Sequence, residues 1–507
     1  MTVVRSASVF EGPLDSADRP AVSALGRVLL AHGFAGDPVP AALGSPIAQG
    51  TSHIREDTPL YLQRLAARTP LNTLIKLFVL LQIVDGAAAC DAFAPITVDQ
   101  VERMGLVERR TGGVAARLKL SGCSGLILAH DVFDPRAAVS HDHVLNVNPT
   151  TSTLTALMVR RRAGRALDLG TGCGVVALLA AAHSDRVIGV DTNARALNFA
   201  VFNAALNGID NVEFRQGSLF DPVAGERFDL IACNPPYVIS PESRYIFRDG
   251  NRRGHGFCEE VVRRTPRHLE PGGYATVLCN WGIGAGEDWS APLRTWVDGS
   301  GCDAWLLCRG TQDPLTYAAN WNRGPDSAAY SDALERWPAY HRELGFESIG
   351  QGAVILRRRT DGAGWVRADR FPEAPLEPDE TLIPAIFDAQ DHLSALPTDA
   401  ALLARAFVPT SAHRLHQSLT LQDGRYVVAD ADIALDGGLK FRGAVDPYTL
   451  HLLTSCDGRR TLGEIAADLA ARTDGDGEAL RGATAAIARR LVSLGFLIPS
   501  QLKEDAL

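Results

Sequence analysis

The sequence of 507 residues lacks the cysteine patterns that mark disulfide frameworks and structural zinc sites. Its nine cysteines include no CxxC pair, and Cys233, Cys279 and Cys308 lie inside apolar stretches. Thiols placed in this way are typical of reduced, buried cysteines in proteins of the cytosol. We therefore expect neither a disulfide frame nor a metal site.

Long apolar runs are missing as well. The most apolar stretch, Leu74–Val84, is interrupted by Lys76 and Gln82, and it falls well short of the roughly 20 residues that span a bilayer. The first residues, Met1–Ser8, do not have the charged-then-apolar layout of a signal peptide. These absences predict a cytoplasmic protein without a membrane-spanning segment.

An excess of positive charge is also absent, since the formal net charge is -9. A chain of this charge has no long-range attraction to nucleic acid as a whole. Hydrophobic residues make up 46% and charged residues 21% of the sequence, which is the composition of an ordinary globular protein. The length predicts two to four domains, and we place their boundaries at residues 1–143, 144–365 and 366–507.

The amino-terminal domain is predicted to be helical with a winged end. Thr97 can cap a short helix, and Gln100 would complete a capping box. Residues 114–120 alternate like a strand, and residues 125–130 read as its hairpin partner. A helix followed by a two-stranded wing resembles a winged-helix module, which binds nucleic acid or serves as a packing or dimerisation surface.

The carboxy-terminal domain follows a linker rich in proline and acidic residues. Residues 462–469 form an amphipathic pattern with Thr461 as the predicted helix cap. This end of the chain resembles the winged-helix adaptor domains that are attached to modifying enzymes. Such a domain would recognise a protein, hold a dimer or touch nucleic acid, so a homodimer formed through the flanking domains is one expected assembly.

The centre of the chain carries its most informative pattern. An apolar strand, 166–169, breaks into a turn with three glycines, and a helix-like run begins at Val175. The glycines allow a tight turn and a close approach of the backbone to a ligand at the helix start. A second apolar strand ends on Asp191, 17 residues after Gly174, where an acid that binds a ribose is expected. The pattern indicates a nucleoside cofactor.

The stretch 167–174, Leu-Asp-Leu-Gly-Thr-Gly-Cys-Gly, resembles the first motif of class I S-adenosylmethionine-dependent methyltransferases. The resemblance implies an α/β fold with a Rossmann-like, doubly wound sheet of seven strands, and S-adenosyl-L-methionine as cofactor. It also implies these cofactor-binding residues: Asp168, Gly170, Thr171, Gly172, Gly174, Asp191, Thr192, Asn193, Ser218, Leu219 and Asn234.

Three of these assignments have open alternatives. Many relatives carry an acid where Ser218 stands, so the group that contacts the adenine is left open. Asp168 could instead be a buried carboxylate that accepts backbone N–H bonds within the glycine turn. Asp191 could instead cap the helix that follows it.

A second motif, Asn234-Pro235-Pro236-Tyr237, follows the predicted fourth strand. Two adjacent prolines lack N–H donors and cannot continue a sheet ladder. The Pro235 carbonyl and the Asn234 side-chain oxygen are then two acceptors for an NH₂ group, and Tyr237 offers a flat face. We predict Asn234, Pro235 and Tyr237 as catalytic residues.

Further substrate contacts are predicted more weakly at Pro236, Arg248 and Trp281. Arg248 could pair with a substrate anion or with its neighbour Asp249. Trp281 ends the fifth predicted strand, where it could wall the pocket or be buried in the core.

In the resembling family, the second motif marks enzymes that methylate amide or exocyclic amino nitrogens. The form with Asn and Tyr resembles the release-factor glutamine methyltransferases, and the small-domain RNA guanine-N2 methyltransferases come close behind. The resemblance therefore implies N-methylation of a planar amide or amino group, first of all a protein or peptide glutamine. The alternatives are an RNA base, at guanine N2 or adenine N6, and a small molecule.

Overall fold

The structure is a computed structural model that forms two compact units. It describes residues 10–44, 57–132, 139–250, 252–324, 326–361, 364–371, 376, 381–410, 413–436, 439–473 and 476–500. The first unit comprises Met1–Thr155 and Arg161–Arg370, and the second comprises Ala156–Arg160 and Phe371–Leu507. None of the helices in these described ranges is long and apolar enough to cross a membrane. The predicted domain boundaries stay a prediction.

The first unit begins with six short helices. They are α1 (Arg19–Ala31), α2 (Pro38–Leu43), α3 (Thr58–Arg64), α4 (Pro70–Leu74), α5 (Gly86–Phe93) and α6 (Val98–Arg103), with a π-helical turn at Ile75–Val79 after α4. Leu74, Leu77 and Phe78 have no exposed surface, because the apolar segment crosses the core of this part. The predicted capping box of α6 is present, since the side chains of Thr97 and Gln100 each bond the other's backbone N–H.

Two hairpins follow α6, where the sequence predicted one. Their strands are β1 (Val107–Arg110), β2 (Gly113–Ala116), β3 (Lys119–Cys123) and β4 (Leu126–His130). β1 pairs with β2, and β3 pairs with β4. The prediction of one strand over residues 114–120 was wrong, because β2 ends at Ala116 and the chain then begins a second hairpin at Lys119.

A mixed sheet of eight strands forms the body of the first unit. Its strands are β5 (Ala163–Leu169), β6 (Ser184–Asp191), β7 (Val212–Gln216), β8 (Phe228–Cys233), β9 (Leu269–Ile283), β10 (Cys302–Gln312), β11 (Ser348–Arg358) and β12 (Val366–Arg370). Their order is β12-β10-β11-β9-β8-β5-β6-β7. β11 runs antiparallel to β9 and β10, while β5 to β9 pair in parallel. The Rossmann-like fold is confirmed, and β12 adds an edge strand to the seven predicted.

Helices cover this sheet. They are α7 (Pro149–Leu157), α8 (Val175–Ala180), α9 (Ala194–Leu206), α10 (Gly256–Arg264), α11 (Ala291–Val297), α12 (Pro314–Asn322) and α13 (Ser327–Glu343), with 3-10 turns at Asp221–Val223 and Thr265–His268. One large buried cluster joins β5, β6, β8, β9, β10 and β11 to the apolar sides of α10 and α11. Strands buried on both faces read as continuous apolar runs, which is why the sequence located them well.

The described part of the second unit contains five helices and two small sheets. Its helices are α14 (Leu382–Ser394), α15 (Asp399–Leu403), α16 (Pro447–Ser455), α17 (Leu462–Thr473) and α18 (Gly477–Ser493). Its strands are β13 (Phe407–Pro409), β14 (His413–Gln422), β15 (Arg425–Leu435), β16 (Arg442–Ala444) and β17 (Leu497–Pro499). One sheet has two strands, β13 and β17, and the other has three, β14, β15 and β16. Thr461 caps α17 as predicted, because its hydroxyl accepts the Glu464 N–H at 3.2 Å. The winged-helix and homodimer assignments stay predictions.

Asn203 of α9 and Asn207, which caps the end of that helix, each form two hydrogen bonds with the backbone of strand β4. Asn203 Oδ1 accepts the Ala129 N–H at 2.7 Å, and Asn203 Nδ2 donates to the Ala129 carbonyl at 3.1 Å. Asn207 makes the same pair of bonds to Ile127, at 2.9 and 2.7 Å. Asn203 Nδ2 also donates to the carbonyl of Cys173 at 2.9 Å, so one buried side chain joins the β3–β4 hairpin to the glycine turn.

His130 is buried in the same region with both ring nitrogens bonded. Its Nδ1 lies 2.8 Å from the Asp131 carbonyl, which can only accept, so Nδ1 carries the proton. Its Nε2 therefore accepts from the Ser121 hydroxyl, also at 2.8 Å. Burial lowers the pKa of His130 to about 4, so the neutral ring is the form that the fold selects.

Replacing Asn203 tests how far the hairpin and the glycine turn depend on it. We expect Asn203→Ala to lower the thermal unfolding midpoint by about 5 °C, since a buried N–H and two carbonyls would lose their partner, at about 1–3 kcal/mol each. Asn320→Ala, which alters an exposed asparagine of α12, is the matched control. Equal midpoints for the two variants would contradict the assignment.

The fall of the unfolding midpoint at acid pH tests whether His130 is neutral in the folded protein. Its folded pKa lies below the unfolded value of 6.5, so its contribution is full above about pH 6.5 and is lost as the pH falls toward 4, by at most about 3 kcal/mol. His130→Gln should therefore flatten the fall of the unfolding midpoint between these pH values. His416→Gln, at an exposed position, should keep the wild-type slope, and parallel curves for all three proteins would exclude this role.

Candidate active site

The two sequence motifs meet where the strand order of the sheet reverses. β5 has β6 on one side and β8 on the other, and all three strands run parallel. In open α/β sheets, a crevice forms at such a switch point, outside the carboxyl ends of the strands. The glycine turn leaves β5 there and Asn234 leaves β8 there, and a Cβ on Gly170 would lie 3.7 Å from the Asn234 carbonyl oxygen.

The glycine turn has the backbone conformation that its residues predict. Gly170, Gly172 and Gly174 have φ angles of 78°, 54° and 91°, in the left-handed region that favours glycine. The N–H groups of Gly170 and Thr171 both bond the Val190 carbonyl, at 2.8 and 2.9 Å. A Cβ built on Gly172 would meet nothing within 4 Å, so the turn borders open space on that side.

Asp168 holds this turn from inside. Its Oδ2 accepts the Thr171 hydroxyl at 2.6 Å and the Ala177 N–H of α8 at 3.0 Å. Burial raises the pKa of Asp168 to about 7, and those two hydrogen bonds oppose the rise. The structure thus places Asp168 in the alternative role that the sequence left open, a buried carboxylate within the turn.

Asp191 lies beside the turn at the end of β6. One carboxylate oxygen accepts the Gly172 N–H at 2.8 Å, and the other accepts the Asn193 N–H at 2.9 Å. Burial raises the pKa of Asp191, and these backbone bonds oppose the rise. Asp191 is half-buried, and each carboxylate oxygen keeps lone-pair capacity with which it could accept one of two vicinal hydroxyls.

The two residues after Asp191 separate in role. Asn193, and not Asp191, caps α9, since its Oδ1 accepts the Arg195 N–H at 3.0 Å. Its Nδ2 donates to the Asp142 carbonyl at 2.8 Å. Thr192 is exposed at the rim. Asn193 is therefore committed to the fold through both side-chain atoms.

The predicted adenine-side residues follow β7. Ser218 is exposed, while Leu219 is buried with a left-handed φ of 49°. The preceding Gly217 donates its N–H to the Asp191 carbonyl at 2.9 Å. This bond holds the start of the loop against the end of β6, next to the acid.

The site suits S-adenosylmethionine on three counts. The open side of the glycine turn admits close approach of a ligand, and the half-buried Asp191 carboxylate suits a ribose diol. The Asp191 carboxylate beside the turn favours a ligand that carries positive charge, such as a sulfonium. No cluster of metal-ligating side chains lies within the described part of the chain.

Asn234 carries the least satisfied polar atom of the crevice. Its Nδ2 donates to the Thr150 hydroxyl at 3.4 Å, whereas its Oδ1 is buried and has no partner among the described residues. A buried acceptor without a partner costs free energy, and such atoms in native structures call for a function. Nor does any described residue donate to the Pro235 carbonyl.

Thr150 and its neighbour Asn148 are site residues that the sequence analysis missed. Asn148-Pro149 does signal a helix start, with an Asx residue before a proline at the first helical position. Nothing in that signal indicates that α7 begins beside the end of β8. The contact joins residues 84 positions apart and only the folded chain brings them together.

Tyr237 lies between the sheet and the helical insertion α12–α13. Burial raises the pKa of Tyr237 to about 12, and a hydrogen bond with the Thr150 side chain opposes the rise. Its ring meets Trp321 edge-on at a centroid distance of 6.3 Å. The Tyr237 ring packs against the core of the sheet and against a second cluster that the insertion builds.

The insertion also fastens the chain just beyond Tyr237. The Ile239 N–H donates to the Tyr317 hydroxyl at 3.0 Å, and His341 Nε2–H donates to the Ile239 carbonyl at 2.8 Å. Tyr317 in turn accepts from Asn280 Nδ2 at 2.8 Å. Both backbone groups of Ile239 are thus satisfied by side chains of α12 and α13, which positions the motif from its far side.

The three weaker substrate predictions fare differently. Arg248 is buried and forms a two-bond ion pair with Asp249, at 2.8 and 3.1 Å, so the structure favours its structural alternative. Trp281 has no exposed surface, and its indole N–H donates to the Trp289 carbonyl at 2.7 Å. Pro236 stays half-exposed next to Tyr237. It is the one of the three that borders the crevice.

Comparison with known proteins agrees with this geometry. Residues 137–288 match the family described as methyltransferase small domain. The central segment is a class I S-adenosylmethionine-dependent methyltransferase domain. Residues 31–117 and 384–499 match two families described as domains of unknown function, DUF7059 and DUF7782.

Individual curated relatives match part of the chain. A release factor glutamine methyltransferase of Xylella fastidiosa is 34% identical over 133 residues, which are 24% of this chain and 48% of the relative. A ribosomal protein uL3 glutamine methyltransferase of Bradyrhizobium diazoefficiens is 38% identical over 133 residues, 24% and 41% of the two chains. A release factor glutamine methyltransferase of Agrobacterium fabrum is 32% identical over 189 residues, 35% and 63%. The chain spans about half the length of the curated relatives it matches.

Removal of the Asp191 carboxylate tests the cofactor site. We expect Asp191→Ala to weaken S-adenosylmethionine binding about 10- to 100-fold in calorimetry, since hydrogen bonds to a charged group contribute about 1.5–3 kcal/mol. Asp185, at the opposite end of the same strand, pairs only at the surface with Arg162, and surface pairs contribute little. Asp185→Ala should therefore bind as the wild type does, and equal affinities for both variants would exclude Asp191 from the site.

Proposed function

We propose that this protein transfers a methyl group from S-adenosylmethionine to the side-chain amide nitrogen of a glutamine in a protein or peptide. The single observation that carries the proposal is the buried, unpartnered Oδ1 of Asn234 beside the Pro235 carbonyl. The names of the relatives support it, since those described act on glutamine in release factors or in a ribosomal protein.

An amide NH₂ group complements this pair of acceptors. Its two hydrogens need two acceptors, and Asn234 Oδ1 and the Pro235 carbonyl are the two atoms of the motif without a partner among the described residues. Accepting both hydrogens would hold the nitrogen in one place and direct its lone pair toward the cofactor crevice. Positioning of this kind contributes roughly 7–11 kcal/mol to a transfer reaction.

The cofactor, when bound, supplies a methyl group that is already activated by its positive sulfur. The glycine turn and Asp191 would hold and orient it through backbone and carboxylate contacts, and Asp168 would keep the turn in place from inside. Asn234 Oδ1 would also stabilise the positive charge that develops on the amide nitrogen. No strong base is required, because the nitrogen becomes acidic once it is alkylated and its proton can leave to water.

The surroundings of Tyr237 suit a narrow planar acceptor. The ring is held between the sheet core and the insertion cluster, with Trp321 across its edge. A planar amide can lie on the exposed part of such a ring. An exposed basic groove would be expected for an RNA base. Each of the arginines between Tyr237 and α10 instead lies within 4.0 Å of an acidic side chain: Arg244, Arg248, Arg252 and Arg253.

Loss of the Asn234 oxygen is the central test. With labelled cofactor and glutamine-containing peptides, Asn234→Ala should lower kcat by about 100-fold or more, the effect of removing one preorganised polar group from a reacting centre. Its affinity for S-adenosylmethionine should change much less. The exposed Asn320→Ala variant should retain full activity.

The same assay separates the competing acceptors. Methyl transfer to RNA, with binding that weakens steeply as salt is added, would replace the glutamine proposal with a base methyltransferase. Intact turnover by Asn234→Ala on glutamine peptides would overturn the role assigned to the unpartnered oxygen.

A further inference from the structure

A short chain of hydrogen bonds connects the start of α7 to Asn234. Asn148 Oδ1 accepts the Thr150 and Thr151 N–H groups, both at 3.0 Å. The Thr150 hydroxyl lies 2.6 Å from that same Oδ1 and 3.4 Å from Asn234 Nδ2. All four side chains and their backbone belong to the first unit.

In this series of hydrogen bonds, each partner determines whether the next atom donates or accepts. Backbone N–H groups only donate, so the Asn148 atom that receives two of them must be its oxygen. An amide oxygen only accepts, so the Thr150 hydroxyl gives its single proton to Asn148. The Thr150 oxygen then has only lone pairs left, so it must receive the NH₂ side of the Asn234 amide, and it can only accept from the Tyr237 hydroxyl that also bonds it.

We propose that Thr150, set by Asn148, is a positioning residue that holds the Asn234 amide with its oxygen toward the acceptor nitrogen. This inference rests on the proposed function for the role of that oxygen. Without the Thr150 hydroxyl, the Asn234 amide could flip about its Cβ–Cγ bond. Its NH₂ group would then face the substrate NH₂ group, and two donors would oppose each other.

The two distances from the Thr150 hydroxyl indicate how closely it is bound to each asparagine. The bond of 2.6 Å to Asn148 is short and holds the hydroxyl proton, while the contact of 3.4 Å to Asn234 is long. The longer contact alone would be a weak restraint. It nevertheless selects one orientation of the Asn234 amide, because the opposite orientation would place the Asn234 oxygen against a lone pair of the Thr150 oxygen.

Removal of the hydroxyl is the first experiment. Thr150→Val should lower kcat about 10-fold, the effect of one hydrogen bond of about 1.4 kcal/mol, with the dissociation constant for S-adenosylmethionine unchanged. Thr150→Ser, which keeps the hydroxyl, should stay within about 3-fold of the wild type. Thr153→Val is the matched control on the same helix, since the Thr153 hydroxyl donates to the Pro149 carbonyl at 2.9 Å.

The Asn234→Asp background distinguishes an orienting role of Thr150 from a general structural role. A carboxylate has two equivalent oxygens, so it presents an oxygen to the substrate in either orientation. Thr150→Val should therefore cost much less in Asn234→Asp than in the wild type. An equal loss in both backgrounds, or a kcat of Thr150→Val within twofold of the wild type, would overturn the proposal.

A measurement without substrate keeps the two proposals distinguishable. With asparagine labelled by ¹⁵N, the side-chain NH₂ signals of Asn234 can be identified by their loss in Asn234→Asp. Thr150→Val should shift these signals and speed their hydrogen exchange, and Thr153→Val should not. Unchanged signals in Thr150→Val would refute the positioning role. Shifted signals in a protein that methylates no glutamine peptide would refute the proposed function alone.

Discussion

The parallel pairing of β5 with both β6 and β8 is the constraint on which the rest of the structure depends. Because these strands run side by side in one direction, the segments that leave their carboxyl ends converge on one crevice. The glycine turn, Asp191 and Asn234 each follow a different strand of this set. Chemistry that is separated by more than sixty residues in the chain is thereby assembled within one edge of the sheet.

Side chains that lie outside the crevice hold the backbone segments that form it. Asn203 satisfies the Cys173 carbonyl of the glycine turn and at the same time both backbone groups of Ala129. Tyr317 and His341 satisfy both backbone groups of Ile239 beyond Tyr237. Loops that bind ligands are usually mobile, whereas here buried side-chain hydrogen bonds from the hairpin and the insertion fix their backbone.

Polar side chains next to the crevice differ in how far the fold satisfies them. Asp168, Asn193 and Arg248 each make two or more side-chain hydrogen bonds within the fold. Asn234 Oδ1 is the exception, buried and without a partner among the described residues. Since an unpaired buried acceptor costs free energy in the resting protein, a substrate that supplies the missing hydrogens regains part of that cost on binding.

The sequence by itself determined the central parallel strands, the glycine turn and the acceptor motif, because each depends on local chemistry. Apolar runs define buried parallel strands, glycines permit left-handed φ angles, and adjacent prolines remove donors. It could not decide whether Asp168 or Arg248 faces a ligand or the protein, since burial and pairing depend on the partner's position in space. The contacts of Thr150 with Asn234 and of Trp321 with Tyr237 were decided only by the tertiary structure, because long-range neighbours leave no periodic or local signal in the chain.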